Sequence, residues 1–260
     1  MNILVCVKSV PATTKVSLDP VTHTLIRDGR QSVVNPFDMS ALEEAICIKE
    51  KIGGEVTVLS MGIPDTVRLL KDCLARGADK GMLLSDRAFA GADTLATSYA
   101  LSCAMNALTD MQLIICGKMA VDGDTAQIGP ELAGVLGIPC ICGVTEILEV
   151  SEEEIKVRRE IDGGEAVVTC KLPAVITVVK DIANPRMPSI AGIRFAEEGP
   201  IEVKTADDVS ADKARCGLNG SPTQVVKTFI PVRDHECIAI EGGLDEKAGQ
   251  IIKLWEDMGL

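Results

Sequence analysis

The chain has 260 residues and a formal charge of −12, from 38 acidic against 26 basic side chains. That acidic balance argues against a broad nucleic-acid-binding surface and suits a cytoplasmic protein. Hydrophobic residues make up 47% of the chain and aromatic ones only 2%, so Ile, Val, Leu, Ala and Met must fill any core. The length fits one large α/β domain, or a domain with an appendage.

No apolar run approaches the ~20 residues that a membrane span needs. Met1–Lys8 is too short for a signal peptide and reads as a first strand. Ten cysteines are scattered along the chain with no Cys-x-x-Cys among them. Cys6, Cys73, Cys103, Cys116 and Cys170 lie in apolar stretches, as small buried hydrophobes do. Cys140-Ile141-Cys142 invites a metal reading, yet His23 and His235 stand in no ligand spacing with it. Reduced structural thiols are expected, in a reducing compartment.

Strand one covers residues 2–8, and Lys8-Ser9-Val10-Pro11 leaves its carboxyl end. Turn signals at Asp19-Pro20 and Asp28-Gly29 predict a small hairpin within 12–34. Asn35-Pro36-Phe37-Asp38 follows, with Asp38 as the expected cap of a helix striped by Met39, Leu42 and Ile46 and stopped at Gly53-Gly54. Asn35 either initiates a turn before proline or offers its amide to an adenine edge. Glu55–Leu59 is the next strand and runs into Ser60-Met61-Gly62. Asp65 is placed to cap a helix carrying Val67, Leu70 and Leu74, with Gly77 past its end. Lys80–Leu84 is a third strand, and Asp93-Thr94 opens a helix running to about Leu108.

Met111–Cys116 is then a nearly continuous apolar run, the pattern of a strand buried on both faces. It leads into Gly117-Lys118-Met119-Ala120-Val121-Asp122-Gly123-Asp124-Thr125-Ala126-Gln127-Ile128-Gly129-Pro130, after which a short helix runs to Leu136. This stretch is a strand-to-helix loop at the edge where open α/β sheets bind ligands. Gly117, Gly123 and Gly129 would let a ligand approach the backbone, and free N–H groups at the helix start favour phosphate. The aspartates suit ribose hydroxyls better than phosphates. An ordinary polar loop explains the composition equally well. Neither a Gly-x-Gly-x-x-Gly after strand one nor a P-loop is present.

Strands alternating with helices through residue 138 predict right-handed parallel crossovers. The expected fold is α/β: a Rossmann-like, mostly parallel sheet with helices on both faces. Beyond it, Thr145–Val150, Lys156–Ile161 and Glu165–Cys170 alternate as half-buried strands, with Asp162-Gly163-Gly164 as a hairpin turn. These would add antiparallel hairpins beside an apolar strand at Ala174–Val179. Residues 181–200 read as a loop whose Ile190, Ile193 and Phe195 either form a docking patch or tuck beneath it. The stretch 201–240 has poor periodicity and reads as an extended arm, giving an α/β domain over 1–200 and an arm with a helix over 201–260. The last helix, Asp245 to Met258, gathers Ala248, Ile251, Ile252, Trp255 and Met258 on one side.

Taken together, Val7-Lys8-Ser9-Val10-Pro11, Asn35-Pro36-Phe37-Asp38, Ser60-Met61-Gly62, the 117–130 loop and Val157-Arg158-Arg159-Glu160-Ile161-Asp162-Gly163-Gly164 through Leu172-Pro173-Ala174 resemble the β (smaller) subunit of electron-transfer flavoproteins. The resemblance covers essentially the whole chain. It departs at Ala166, where many members carry Glu or Gln. Members holding a structural AMP resemble Asp-Asp-Asp-x-Asn-Gln-Thr-Gly in the loop. Members holding a second FAD resemble Asp-Gly-Asp-Thr-Ala-Gln-Val-Gly-Pro. Asp122–Pro130 is similar to the second form, as are Ser85-Asp86-Arg87, Gly91–Ser98 and Gly220–Val225.

The resemblance implies an adenine-nucleotide-hydrolase-like sheet that binds FAD in a heterodimer with an α subunit carrying another FAD. FAD would lie along Cys6, Val7 and Lys8, with Asn35, Ser60, Met61 and Gly62 around its adenine and ribose. Residues Asp122, Gly123, Asp124, Thr125, Ala126, Gln127 and Ile128 would cradle the pyrophosphate. Ile190 would anchor a partner dehydrogenase, and the arm would wrap the α subunit. NADH would be oxidised, with electrons bifurcated to a dehydrogenase of acyl-CoA or lactate type and to ferredoxin or flavodoxin. The alternatives are a simple electron carrier with AMP in this site, or a stand-alone adenine-nucleotide-binding module. No residue is implied as a catalytic acid, base or nucleophile, and no metal ligand is implied.

Overall fold

The apolar runs at Ile3–Cys6, Val56–Leu59 and Leu113–Cys116 have no exposed face, so they lie side by side in the middle of a sheet. A computed structural model of the chain describes residues 1–12, 32–106, 108, 110–226 and 239–259. It contains two compact units, Met1–Val225 and Val226–Leu260.

In the first unit the order is β1 (Asn2–Cys6), β2 (Ser9–Pro11), β3 (Ser32–Val34), α1 (Pro36–Ile52), β4 (Glu55–Met61), α2 (Val67–Arg76), β5 (Lys80–Leu84) and α3 (Thr94–Asn106). Then come β6 (Leu113–Gly117), α4 (Ile128–Leu136), β7 (Cys140–Val150), β8 (Glu154–Ile161), β9 (Gly164–Lys171), β10 (Ala174–Val178), α5 (Ile190–Glu198) and β11 (Ile201–Lys204). The main sheet runs β11-β5-β4-β1-β6-β10-β7-β8-β9. It is parallel from β11 to β7 and antiparallel across β7, β8 and β9. This is the α/β, Rossmann-like architecture with added hairpins that the alternation of elements predicts.

Period-two alternation splits each central strand between two cores. Ile3, Val5, Val56, Val58 and Ile115 pack with Leu42 and Ile46 of α1 and Leu70 and Leu74 of α2. Leu4, Leu59 and Ile114 pack with Ala100, Leu101 and Ala104 of α3 and Leu132 of α4. From β1 the chain builds outward through β4 and β5, then returns to place β6 on β1's other flank. Strand order therefore reverses between β1 and β6, and a crevice opens outside their carboxyl ends.

Several expectations change. Residues 190–198 form a helix, not a loop, because Ser189 accepts from the Gly192 N–H at 2.9 Å and caps it. Ile201–Lys204 is no arm: it pairs in parallel with β5 as the sheet's edge strand. After it, Ala206, Val209, Ala211 and Cys216 are buried against α3's side of the sheet. The first unit thus runs to Val225 rather than stopping at residue 200. Asp38 lies inside the first turn of α1, whose N-cap position is Asn35. For the expected 12–34 hairpin, β2 and β3 pair antiparallel at its base, while its interior lies outside the described residues.

The second unit carries α6 (Leu244–Asp257), which forms where the amphipathic pattern places it. Ile240, Ile251, Leu254, Trp255 and Met258 line a shallow apolar cleft on it.

Candidate functional site

The crevice between β1 and β6 has a floor built from the α1 start. Asp38 is buried, with its Oδ2 accepting from the Lys8 N–H at 2.8 Å and its Oδ1 from the Gly117 N–H at 3.2 Å. One carboxylate thereby joins the ends of the two strands that flank the crevice. Burial pushes Asp38 up to about 7, against the pull of hydrogen bonds from the Lys8 N–H, the Asn35 side chain and the Gly117 N–H. Asn35 is 1% exposed and its backbone N–H donates to the Lys8 carbonyl at 2.9 Å. Its side chain donates to the Met119 carbonyl at 2.9 Å and accepts from the Val121 N–H at 3.2 Å. The side-chain amide therefore holds the loop backbone itself.

Two of the loop's glycines serve the fold rather than a ligand's approach. A Cβ on Gly117 would stand 2.3 Å from Asp38 Oδ1 and 2.6 Å from Phe37 Cβ. On Gly129 it would stand 2.3 Å from Thr177 Cγ2, so glycine is what lets α4 sit on β10. Gly123 differs, since only Lys8 Nζ at 3.8 Å would approach its Cβ.

Above this floor residues 121–127 are all exposed. Asp122 Oδ1 pairs with Lys8 Nζ at 2.6 Å, which places a cation beside the carboxylate and ties the loop to the end of β1. Asp124 and Ala126 hold positive φ values of 50° and 54°, a conformation that side chains with a Cβ rarely adopt. Left-handed residues at alternating positions turn successive N–H groups toward a common point, the geometry of an anion-binding nest. The N–H groups of Gly123 and Asp124 donate to the Ala120 carbonyl, whereas those of Thr125, Ala126 and Gln127 have no acceptor among the described residues. Ser60, 1% exposed near the carboxyl end of neighbouring β4, has a hydroxyl with no hydrogen-bond partner among them either. A buried unpaired hydroxyl and a row of free N–H groups fit a polar, phosphate-bearing ligand.

The structure gathers Cys6, Val7, Lys8, Asn35, Ser60, Met61, Gly62 and 122–128 around one edge of the sheet, on the ends of β1 and β4 and the loop after β6. It also brings in residues that no local pattern marked as site residues. Gln127 Oε1 accepts from Thr94 Oγ1 at 3.2 Å. Glu131 accepts from Thr94 Oγ1 at 3.0 Å and Ser98 Oγ at 3.1 Å. Asp93 accepts from the Ala96 N–H at 3.0 Å and from the Thr223 hydroxyl at 2.8 Å, while its own N–H donates to Ser221 Oγ at 2.8 Å. Segments 93–98, 122–131 and 221–223, far apart in sequence, thus form one hydrogen-bonded cluster. Behind it Asp86 caps the turn at 87–89 and accepts from the Ala206 N–H. The N–H groups of Ala88 and Ala206 hold Asp86 below the usual carboxylate range.

Ile190 stands apart from this edge, at the start of α5 and 76% exposed. Ile193 and Phe195 are exposed too, so they are not tucked away. Arg186 anchors the segment before α5, donating to both Glu43 oxygens and to Glu50. Lys118, the cation within the loop, pairs with Glu160. The described cysteines are free thiols, and no cluster of three or more metal-ligating side chains occurs among the described residues.

The electron transfer flavoprotein domain matches residues 22–209. The chain belongs to the electron transfer flavoprotein family. It is 44% identical over 254 residues to the electron transfer flavoprotein subunit beta of Thermoanaerobacterium thermosaccharolyticum, covering 97% of each chain. The Clostridium acetobutylicum subunit of that name is 46% identical over 258 residues, covering 99% of each. CarD of the caffeyl-CoA reductase-Etf complex of Acetobacterium woodii is 44% identical, covering 97% of each. The function of the present chain is that of a β subunit in flavin-linked electron transfer. Among the described residues, no helix is long and apolar enough to cross a membrane.

Proposed function

We propose that this chain is the FAD-binding β subunit of an electron-bifurcating flavoprotein, acting in the cytoplasm with an α subunit. The observation that carries the reading is the Asp122–Pro130 loop, with its unpaired N–H groups and its link through Thr94 to the segments at 93–98 and 221–223. These are the stretches that resemble the FAD-holding members rather than the AMP-holding ones. The similarity to a subunit of a caffeyl-CoA reductase-Etf complex points the same way.

The residues present suit such a group. The backbone at Cys6–Lys8 would run beside it, with Asn35 and Ser60-Met61-Gly62 at the adenine and ribose. Residues 122–128 would hold the pyrophosphate, with Thr125 and Gln127 adding side-chain hydrogen bonds. Lys8 offsets the charge of Asp122, so a polyanion could approach a loop that otherwise carries two carboxylates. FAD held there would supply the redox chemistry of NADH oxidation, with electrons bound for a second FAD on the α subunit and an acyl-CoA or lactate type dehydrogenase, and for ferredoxin or flavodoxin. This chain's own part is to bind, orient and shield. Exposed Ile190 on α5 would anchor the dehydrogenase, and α6 would lay its apolar cleft on the α subunit.

The test is ligand counting. With the chain co-expressed with an α-type subunit, the heterodimer should release two FAD and no AMP on acid treatment. It should also reduce ferredoxin from NADH when a dehydrogenase substrate is present. One FAD with one AMP per heterodimer would make it a simple carrier and overturn the proposal.

A further inference from the structure

Cys140 and Cys142 open β7 and are not among the residues assigned above to the nucleotide. Residues two apart on a strand share a face, and here the two Sγ atoms stand 3.6 Å from each other. Their Cα atoms, about 6.6 Å apart on an ordinary strand, fall within the roughly 4.4–6.8 Å that a disulfide spans. The backbone bends at this point. Gly143 has a φ of 72°, and the register of β7 on β10 shifts between the Ile176–Ile141 and Val178–Val144 pairs. Both thiols are only partly buried, whereas Cys6, Cys73, Cys103, Cys116 and Cys216 are sealed in the core.

The surroundings divide the labour between the two sulfurs. The neighbouring Cys140 thiol, the Thr177 hydroxyl and the Arg159 guanidinium favour the Cys142 thiolate against the opposing effect of burial, lowering that thiol to about 6. Cys140 is held well above the ordinary thiol range by Cys142 and by burial. One sulfur is thus prepared as a nucleophile, and the other is kept protonated within reach of it. Accessible, low-pKa cysteines beside a resolving cysteine are the usual form of a redox-sensing pair.

We propose that Cys140 and Cys142 form a peroxide-reactive dithiol that closes to an intrastrand disulfide. The Cys142 thiolate attacks one oxygen of hydrogen peroxide, the O–O bond breaks, and the departing hydroxide takes up a proton to become water. Cys142 then carries S–OH. The Cys140 sulfur attacks it, the S–S bond forms, the S–O bond breaks, and hydroxide leaves with the Cys140 proton as a second water. Two thiols lose two hydrogens and two electrons in all, and one peroxide becomes two waters.

The experiment exposes the full-length chain to substoichiometric hydrogen peroxide, blocks remaining thiols with N-ethylmaleimide, and maps tryptic fragments by mass. The fragment Met119–Lys156 contains Cys140 and Cys142 and no other cysteine. It should appear two hydrogens lighter, unalkylated, and open to alkylation after thiol reduction. Its conversion should outpace loss of the exposed Cys47 by about tenfold, since burial and Glu43 push the Cys47 thiol up. In Cys140→Ser, oxidation should stop at a dimedone-trappable sulfenic acid on Cys142. Oxidation of Cys47 while both thiols of the fragment stay alkylatable would overturn the proposal. So would accumulation of over-oxidised Cys142 beside an alkylatable Cys140.

Discussion

The floor of the crevice and the loop above it are adjacent in space and opposite in character. Asn35, Asp38 and Gly117 are buried or pressed against backbone, and each buried polar atom has a partner within the chain. Residues 121–127 are exposed, carry left-handed backbone at Asp124 and Ala126, and leave N–H groups without acceptors. The two layers answer to different demands. Removing a floor contact strands a buried group and costs stability. Removing a loop side chain should cost the fold little and, on the proposed reading, weaken the hold on the nucleotide.

The largest effect should come from the floor. Asp38→Ala would leave the partly buried Lys8 and Gly117 N–H groups without their acceptor, a loss of about 3 kcal/mol in urea unfolding. Gly117→Ala would force a methyl into Asp38 and Phe37 and cost about 2 kcal/mol. If both variants unfold at the wild-type midpoint, the floor is not structural.

The acidity of Asp38 gives the next effect, and its sign is definite. Its folded pKa of about 7 lies above the ordinary 3.8, so the unfolded chain releases the proton first as pH rises. Stability from this group is therefore present below about pH 4 and falls away as pH climbs to about 7. Glu44, raised to about 6 by burial and by Glu43, adds to the same slope. Asp38→Asn should flatten the fall in urea midpoint between pH 5 and pH 8, at a lower overall stability. An unchanged slope would mean that Asp38 stays ionised across the range.

Loop variants should behave in the reverse way. Asp122→Ala and Gln127→Ala are expected to keep stability within about 0.5 kcal/mol of wild type and to keep the heterodimer, while losing flavin from this site. Full flavin content and NADH oxidation in both would remove the loop from the binding map. A comparably small effect on stability belongs to Lys8, which spans the two layers. Its backbone N–H is in the floor and its ammonium pairs with Asp122. Lys8→Met keeps the first and removes an exposed ion pair, so stability should change by less than about 1 kcal/mol while nucleotide retention weakens.

Local pattern alone was enough to locate most elements, because strand and helix periods are written in neighbouring residues. Lys80–Leu84 forms a strand as expected, and the apolar run ending at Cys116 sits at the sheet's centre beside β1. The position of the 117–130 loop followed too, since a buried strand leading into a helix start must turn at the sheet's carboxyl edge. Residues 201–225 fall within the 201–240 stretch that reads locally as an arm, because an edge strand of four residues has too few alternations to show a period. Its burial depends on β5 and α3, more than a hundred residues away.

The alternation of elements, the family and the loop of the candidate site could thus be read from the sequence. What individual residues do there depends on long-range contacts. It turned Asp38 from a helix cap into a bridge between two strands, and gave Gly117 and Gly129 to packing. It also joined Asp93 and Thr94 to Thr223 and Gln127. The reason is physical: periodicity and turn chemistry are set by residues a few positions apart, whereas a buried carboxylate takes its meaning from whichever N–H groups the folded chain brings to it.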